Sequence, residues 1–354
     1  MYQQTDYEAH QDARIWISRI LESKYPFRIR NIFISSIVKL GLPADIIFCT
    51  LFVFRHESIT NEFFTGYILV MIWINIGPYL IWYYEQKLTE NFFNRVTDNA
   101  IFDKCTPDLV KKYRGFFSQK YWLITLPWTA ACICIYIQYA DVFSSLGGIF
   151  GIGDVFYWLI LAGMVWMGLL TSIGFWGVIT TLAVVRNLSC GSISLDPLNG
   201  DERGGLNPIG NYIAGTTLLF SSGALFVPIA IMVILGSDVE STYIYLILLA
   251  FSIFILLSFF YPTKRIYDCA LSAKRIILDR QRQKYFEQLS RLNAEDQNSI
   301  RTVVMNLELQ RMRDEYSDYV RLPVFPIGSW TWLRVISSVL FPGVIGILEL
   351  FQWW

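Results

Sequence analysis

Apolar runs and polar stretches alternate along the whole chain, and the apolar runs are longer than a soluble core helix requires. Gly66–Tyr84, Trp122–Tyr139, Val155–Val185, Ile213–Leu235 and Thr242–Tyr261 each hold eighteen or more residues almost without charge. As helices they are long enough to cross about 30 Å of hydrocarbon. A first run, Ile32–Phe54, is interrupted by Lys39, Pro43 and Asp45. Two geometries fit it: a full span with a charged pair inside, or a short helix starting near Leu42-Pro43. Proline at a first helical position with an acid just behind it favours the second. It also places Lys39 and Asp45 near the inner interface. A last apolar stretch, Trp330–Trp354, contains Pro342, Gly343 and Glu349. The pattern therefore predicts an all-α polytopic membrane protein of seven spans, or six if the last stretch is re-entrant.

The polar stretches complete the plan. Residues 1–31 form an amphipathic lead-in, with Ile15, Ile17, Ile20 and Leu21 near one helical face. They lack an apolar leader core, so no cleaved signal peptide is expected. Residues 32–261 carry spans one to six together with two internal polar segments, 85–120 and 186–212. The first of these predicts one or two helices broken at Thr106-Pro107. Residues 262–322 carry Leu278, Tyr285, Leu289 and Leu292 at 7-4-3 spacing. After a stop at Asn293 come Ile300, Val304 and Leu307, then Leu309, Met312, Tyr316 and Tyr319 at 3-4-3. This predicts an antiparallel helical hairpin with a coiled-coil character, each arm about 40 Å long. Residues 330–354 form the last membrane segment.

Charge sets the orientation. Between spans one and two the only base is Arg55, and there is none in 138–154 or 236–241, whereas 262–321 alone holds twelve. By the positive-inside rule the N-terminus, 85–120, 186–212 and the hairpin lie in the cytoplasm, and the membrane is the cell's inner or plasma membrane. Only 16% of residues are charged and 54% are hydrophobic, against about 25% charged in soluble domains. Formal net charge is zero, and no nucleic-acid partner is expected. The six cysteines form no CxxC pair and are expected to act as small apolar residues.

One loop is too long to be a connector. Ser189–Tyr212 has five glycines and two prolines, and it holds Asp196, Asp201, Glu202 and Arg203 beside Gly204 and Gly205. These six residues are candidate ligand contacts: an anion nest of backbone N–H groups beside Arg203, or an oxygen cage for a divalent cation. The alternative is a structural loop closed by Asx-turns. Lys39, Asp45, Asn75 and Glu349 are the polar candidates within membrane segments. His10 and His56, the only histidines, lie on opposite sides, which argues against a histidine metal site or a Ser-His-Asp triad. There is no GxxxxGK[ST] and no GxGxxG, so no cofactor and no catalytic residues are predicted. Gly168 and Ser172, four apart, suit close packing between helices of the same chain.

The run Leu195-x-Pro197-Leu198-x-x-Asp201-x-x-Gly204-Gly205-Leu206-x-Pro208-x-Gly210 resembles a loop in a group of uncharacterised prokaryotic multi-pass membrane proteins. Those carry Pro-Leu-His-Pro-Asp-x-x-Gly-Gly-Leu between two membrane helices. Where that group has His-Pro this chain has Asn199-Gly200, so no role resting on the histidine transfers. The resemblance implies a prokaryotic origin and a membrane architecture, and it implies no activity. The expected function is that of a homo-oligomeric channel or pore regulated through its cytoplasmic helices. The alternatives are a non-conducting scaffold that recruits a cytoplasmic protein through 262–321, and a lipid-modifying enzyme.

Overall fold

The computed structural model describes residues 14–26, 28–98, 102, 107–147, 151–189, 193–235, 241–293, 300–328, 332, 333, 335 and 336. Among these residues the chain is helical throughout, apart from one isolated antiparallel bridge between Phe102 and Ile193. The elements are α1 (Trp16–Glu22), α2 (Ile32–Ser36), α3 (Leu42–Arg55), α4 (Asn61–Tyr83), α5 (Glu90–Asp98), α6 (Pro107–Lys120), α7 (Trp122–Gln138), α8 (Ala140–Gly147), α9 (Val155–Leu188), α10 (Asn207–Leu235), α11 (Ser241–Asn293) and α12 (Ile300–Arg321).

Among the described residues four helical paths are long and apolar enough to cross a membrane: Ile32–Arg55, Phe63–Thr97, Gly115–Gln138 and Val155–Leu188. Their outer faces agree with that reading: Ile46, Val53 and Phe54 on α3 are exposed, as are Leu123, Leu126 and Ile137 on α7. Leu249, Ile253 and Leu257 on α11, outside those four paths, are exposed as well. Apolar surface of that extent marks a face that meets lipid or another protein. The stretch 337–354, including Glu349, lies outside the described residues.

The first path differs from the short geometry that Pro43 favours in the sequence. Helix α2 runs into α3 through a widened π-turn, Ile37–Gly41, in which the Leu42 N–H reaches Ile37 O. The wider turn lets the chain pass Pro43, which lacks an N–H and crowds the preceding turn, without ending the helix. A second π-turn, Tyr84–Thr89, joins α4 to α5.

Helix α9 lies at the centre, with buried residues from Tyr157 to Leu188. It packs on α7, α10 and α11, while α10 packs most extensively on α4. The contact of α9 with α7 uses Gly168, where a Cβ would approach Thr129 Cα to 3.2 Å. One turn on, Thr125 and Ser172 hydroxyls bond at 2.8 Å, and Trp128 Nε1 donates to Thr171 Oγ1 at 2.7 Å. The small-residue spacing thus serves packing within the chain, as the sequence leads one to expect. At the end of the bundle that carries little base, Arg55 meets Asp154 at 3.4 Å, and Asp154 also caps α9 through the Phe156 N–H.

The N-terminal helix docks on the protein itself. Ile15, Ile17 and Leu21 are buried while Ile20 is exposed, because a seven-residue helix presents only one narrow face. Glu85 accepts the Ile15 N–H at 2.8 Å and the Ser18 hydroxyl. Trp82 Nε1 donates to Glu22 at 2.8 Å. Helices α11 and α12 run antiparallel: Gln288 Nε2 donates to Glu308 at 2.6 Å, and Lys274 Nζ donates to Val320 O and Leu322 O at 2.9 and 2.8 Å. Desolvation holds the Lys274 ammonium below the ordinary lysine pKa. Leu309 faces inward, whereas Ile300, Val304 and Leu307 are exposed. The hairpin thus has a second apolar stripe that the 3-4-3 pattern does not separate from the first.

Candidate functional site

The loop from Ser189 to Tyr212 is built around the carboxylate of Asp201. Its Oδ1 accepts the N–H groups of Arg203 and Gly205, both at 2.9 Å, and its Oδ2 accepts that of Asn207 at 3.0 Å. Asn207 begins α10, so an acid here also meets the positive end of the helix dipole. Upstream, Asp196 closes an Asx-turn by accepting the Leu198 N–H at 3.0 Å. Asn199 does the same for Asp201 at 3.3 Å. The chain wraps tightly enough around Asp201 to need left-handed backbone at Glu202 (φ 56°), Gly204 (φ 66°) and Gly205 (φ 92°). Two of those positions are glycines, which adopt that conformation freely.

The same loop joins the other polar pieces. The Arg203 guanidinium donates to Phe325 O and Ile327 O at 2.8 and 2.9 Å. Gly210 lies so close to this 322–328 strap that a Cβ there would be 1.9 Å from Pro326 O. Tyr319 Oη donates to Leu195 O at 3.2 Å. Burial, with the charges of Asp196 and Glu315, raises its pKa above the usual tyrosine value. Arg265 Nε reaches Ser189 Oγ at 3.2 Å. Residues from 85–120 join through the Phe102–Ile193 bridge and through Tyr113 Oη, which donates to Ala183 O at 3.1 Å. Three pieces separated in sequence thus form one layer at one end of the bundle.

Five of the six loop candidates have internal partners or internal roles. Asp201 is committed to backbone N–H groups and Arg203 to carbonyls, and a Cβ on Gly204 would sit 2.9 Å from Leu322. Asp196 supports its own turn. Glu202 is exposed on the loop and Gly205 supplies one of the N–H groups to Asp201. This arrangement makes the loop a clasp, and its chemistry is spent on holding α10 and the 322–328 strap.

No family model matches the chain. No curated protein and no solved structure matches it either.

Lys39 and Asp45 go to separate partners. Lys39 Nζ reaches back to the end of α1, donating to Ile20 O at 3.0 Å and Ser23 O at 2.7 Å. Asp45 accepts Asn75 Nδ2 at 3.0 and 3.3 Å, and the same amide reaches Met71 O at 2.9 Å. The Asn75 Oδ1 is buried with no hydrogen-bond partner among the described residues. It faces Gly41, where a Cβ would come within 2.0 Å of it.

Two arrangements escape sequence reasoning. Tyr84 Oη bonds Tyr212 Oη at 3.0 Å and Thr181 Oγ1 at 3.2 Å, and Thr181 bonds Thr216 at 2.9 Å. This hydroxyl network ties the Tyr84–Thr89 turn, α9 and α10 together. The second is a cleft of about 350 Å³ between the Tyr84–Thr89 turn, α5 and the start of α10, lined by Lys87, Asn91, Arg95 and Asn211. The four-residue spacing of Lys87, Asn91 and Arg95 is visible in sequence, but Asn211 joins them only through the fold.

Proposed function

We propose that the chain is an integral membrane protein of six or seven spans in the cell's inner or plasma membrane, with its N-terminus in the cytoplasm. In this reading it works as a homo-oligomeric channel or pore, and the layer formed by 85–120, 186–212 and the 262–322 hairpin biases the gate. The Asp45–Asn75 pair carries the proposal. Asp45 lies thirteen residues beyond Ile32, about 20 Å along the helix at 1.5 Å per residue, and its side chain is only half-buried. An acid at that depth costs about 2.5–3.5 kcal/mol against lipid. Water along a path between protomers, reaching the half-buried Asp45 carboxylate, removes that cost. The test is purified protein in planar bilayers. Conductance is expected, with an Asp45→Asn variant changing unitary conductance or cation–anion selectivity at least twofold. A silent protein that is also monomeric in detergent ends this reading.

A second reading, a non-conducting scaffold, draws on the exposed stripe Ile300, Val303 and Leu307 on α12. If that stripe docks a cytoplasmic protein, a pull-down depends on 262–321 and survives changes in 189–212. A lipid-modifying enzyme acting through Asp196 and Asp201 has less support, because Asp201 is consumed by the loop's own N–H groups.

A further inference from the structure

We propose that the cleft between the Tyr84–Thr89 turn, α5 and α10 binds the phosphate of an anionic membrane phospholipid, held by Lys87, Arg95, Asn91 and Asn211. The cleft has two chemically different walls. One is polar: two cationic side chains and two side-chain amides converge on a single space of about 350 Å³. Lys87, Asn91, Arg95 and Asn211 are all exposed, and among the described residues no acid lines that space. The other wall is apolar, formed by Tyr83, Leu88, Gly215 and Leu218, and it continues onto the outer face of α4, where Tyr83 is exposed.

Position selects the ligand. The cleft lies where the apolar run Gly66–Tyr84 gives way to charge, which is the depth of the headgroup region. A free phosphate engages only the polar wall. A phospholipid engages both, its diester on the cations and amides and its first methylenes along Leu88 and Leu218. Arginine supplies a planar fork to phosphate oxygens and lysine a point charge. Asn91 and Asn211 each offer amide N–H donors without adding charge. Glycine at position 215 lets the Leu88 side chain seat directly on α10, since a Cβ there would come within 2.3 Å of Leu88 Cδ2, and so sets the position of the apolar wall.

The inference rests on the membrane reading and is independent of conduction. The test is native mass spectrometry of the detergent-released full-length protein after incubation with phosphatidylglycerol or phosphatidylcholine. Phosphatidylglycerol should be retained, and phosphatidylcholine much less. A Lys87→Gln/Arg95→Gln double variant should lose roughly 30-fold in phosphatidylglycerol affinity, at about fivefold per cation. Lys87→Arg/Arg95→Lys should recover most of it, and Lys284→Gln on the hairpin should leave it unchanged. Asn91→Asp, which sets a negative charge in the cleft while keeping the size of the side chain, should abolish retention. Equal retention of the two lipids, or unchanged retention in the double variant with folding verified by gel filtration and tryptophan fluorescence, overturns the proposal. Complete displacement of lipid by millimolar inorganic phosphate also overturns it, because the site is then for a free anion.

Discussion

Replacing Asp201 with alanine removes three hydrogen bonds at once, and the effect can be worked from the structure. The carboxylate takes N–H groups from Arg203, Gly205 and Asn207 at 2.9, 2.9 and 3.0 Å. A hydrogen bond to a charged group contributes about 1.5–3 kcal/mol when sequestered. Asp201 is half-buried, and water re-satisfies part of what the side chain gives up, so about 2–4 kcal/mol in total is expected. Asp201→Asn is isosteric and keeps an oxygen for Arg203 and Gly205, but it turns an amide donor toward the Asn207 N–H. About 1–2 kcal/mol is expected for it. Asp196→Ala removes one exposed Asx-turn bond, about 0.5 kcal/mol. The assay is trypsin cleavage after Arg203 in native detergent-solubilised protein, followed by peptide mass spectrometry. Arg203 is protected while its guanidinium is held by Phe325 O and Ile327 O. When opening is fast relative to cleavage, the rate follows the open population. Asp201→Ala should therefore be cut roughly 30-fold to several hundredfold faster than wild type, Asp201→Asn roughly 5- to 30-fold faster, and Asp196→Ala about twofold faster. A wild-type rate for Asp201→Ala refutes the clasp and returns Asp201 to the pool of free ligand groups.

Other contacts make further predictions. Gly210→Ala places a methyl 1.9 Å from Pro326 O; an overpacking loss of about 1–3 kcal/mol is expected, read as faster cleavage after Arg321 and a lower melting temperature. Glu85→Ala removes both acceptors that hold Ile15 and Ser18 and should speed tryptic cleavage at Arg14 and Arg19 at least tenfold. Glu85→Gln keeps an oxygen for Ile15 and an amide that the Ser18 hydroxyl can accept, so it should stay within threefold of wild type; equal effects of the two variants would contradict this docking. Lys274→Met removes the two donors that latch Val320 and Leu322, and amide hydrogen exchange at 318–324 should rise while that of 241–260 stays unchanged.

How far the sequence carries is seen in particular residues. Among the described residues the long apolar runs are helical, and α11 and α12, which carry the 7-4-3 and 3-4-3 spacings, are helices in contact. Pro43 misled because a proline is judged against a regular α-helix, and a π-turn upstream is invisible in composition. Ile300, Val304 and Leu307 sit at helical spacing beside Leu309, and only the angle at which α12 meets α11 decides that Leu309 faces in and they face out. Asp201 looks the same in sequence whether it binds a metal or its own backbone. The difference lies in where three N–H groups point once the chain has turned back on itself.

The chain alone determined that it is helical, that several of its helices are long and apolar enough to cross a membrane, and where charge is concentrated along it. Those properties follow from hydropathy and charge, which act residue by residue through transfer free energies. The tertiary structure decided what each polar residue is for. It gave Lys39 to the carbonyls of α1, set Asp45 on Asn75, spent Asp201 and Arg203 on the clasp, and brought Asn211 to Lys87 and Arg95. Hydrogen bonds and close packing act over about 3 Å between groups as far as 128 residues apart, and no local pattern records which of them will meet.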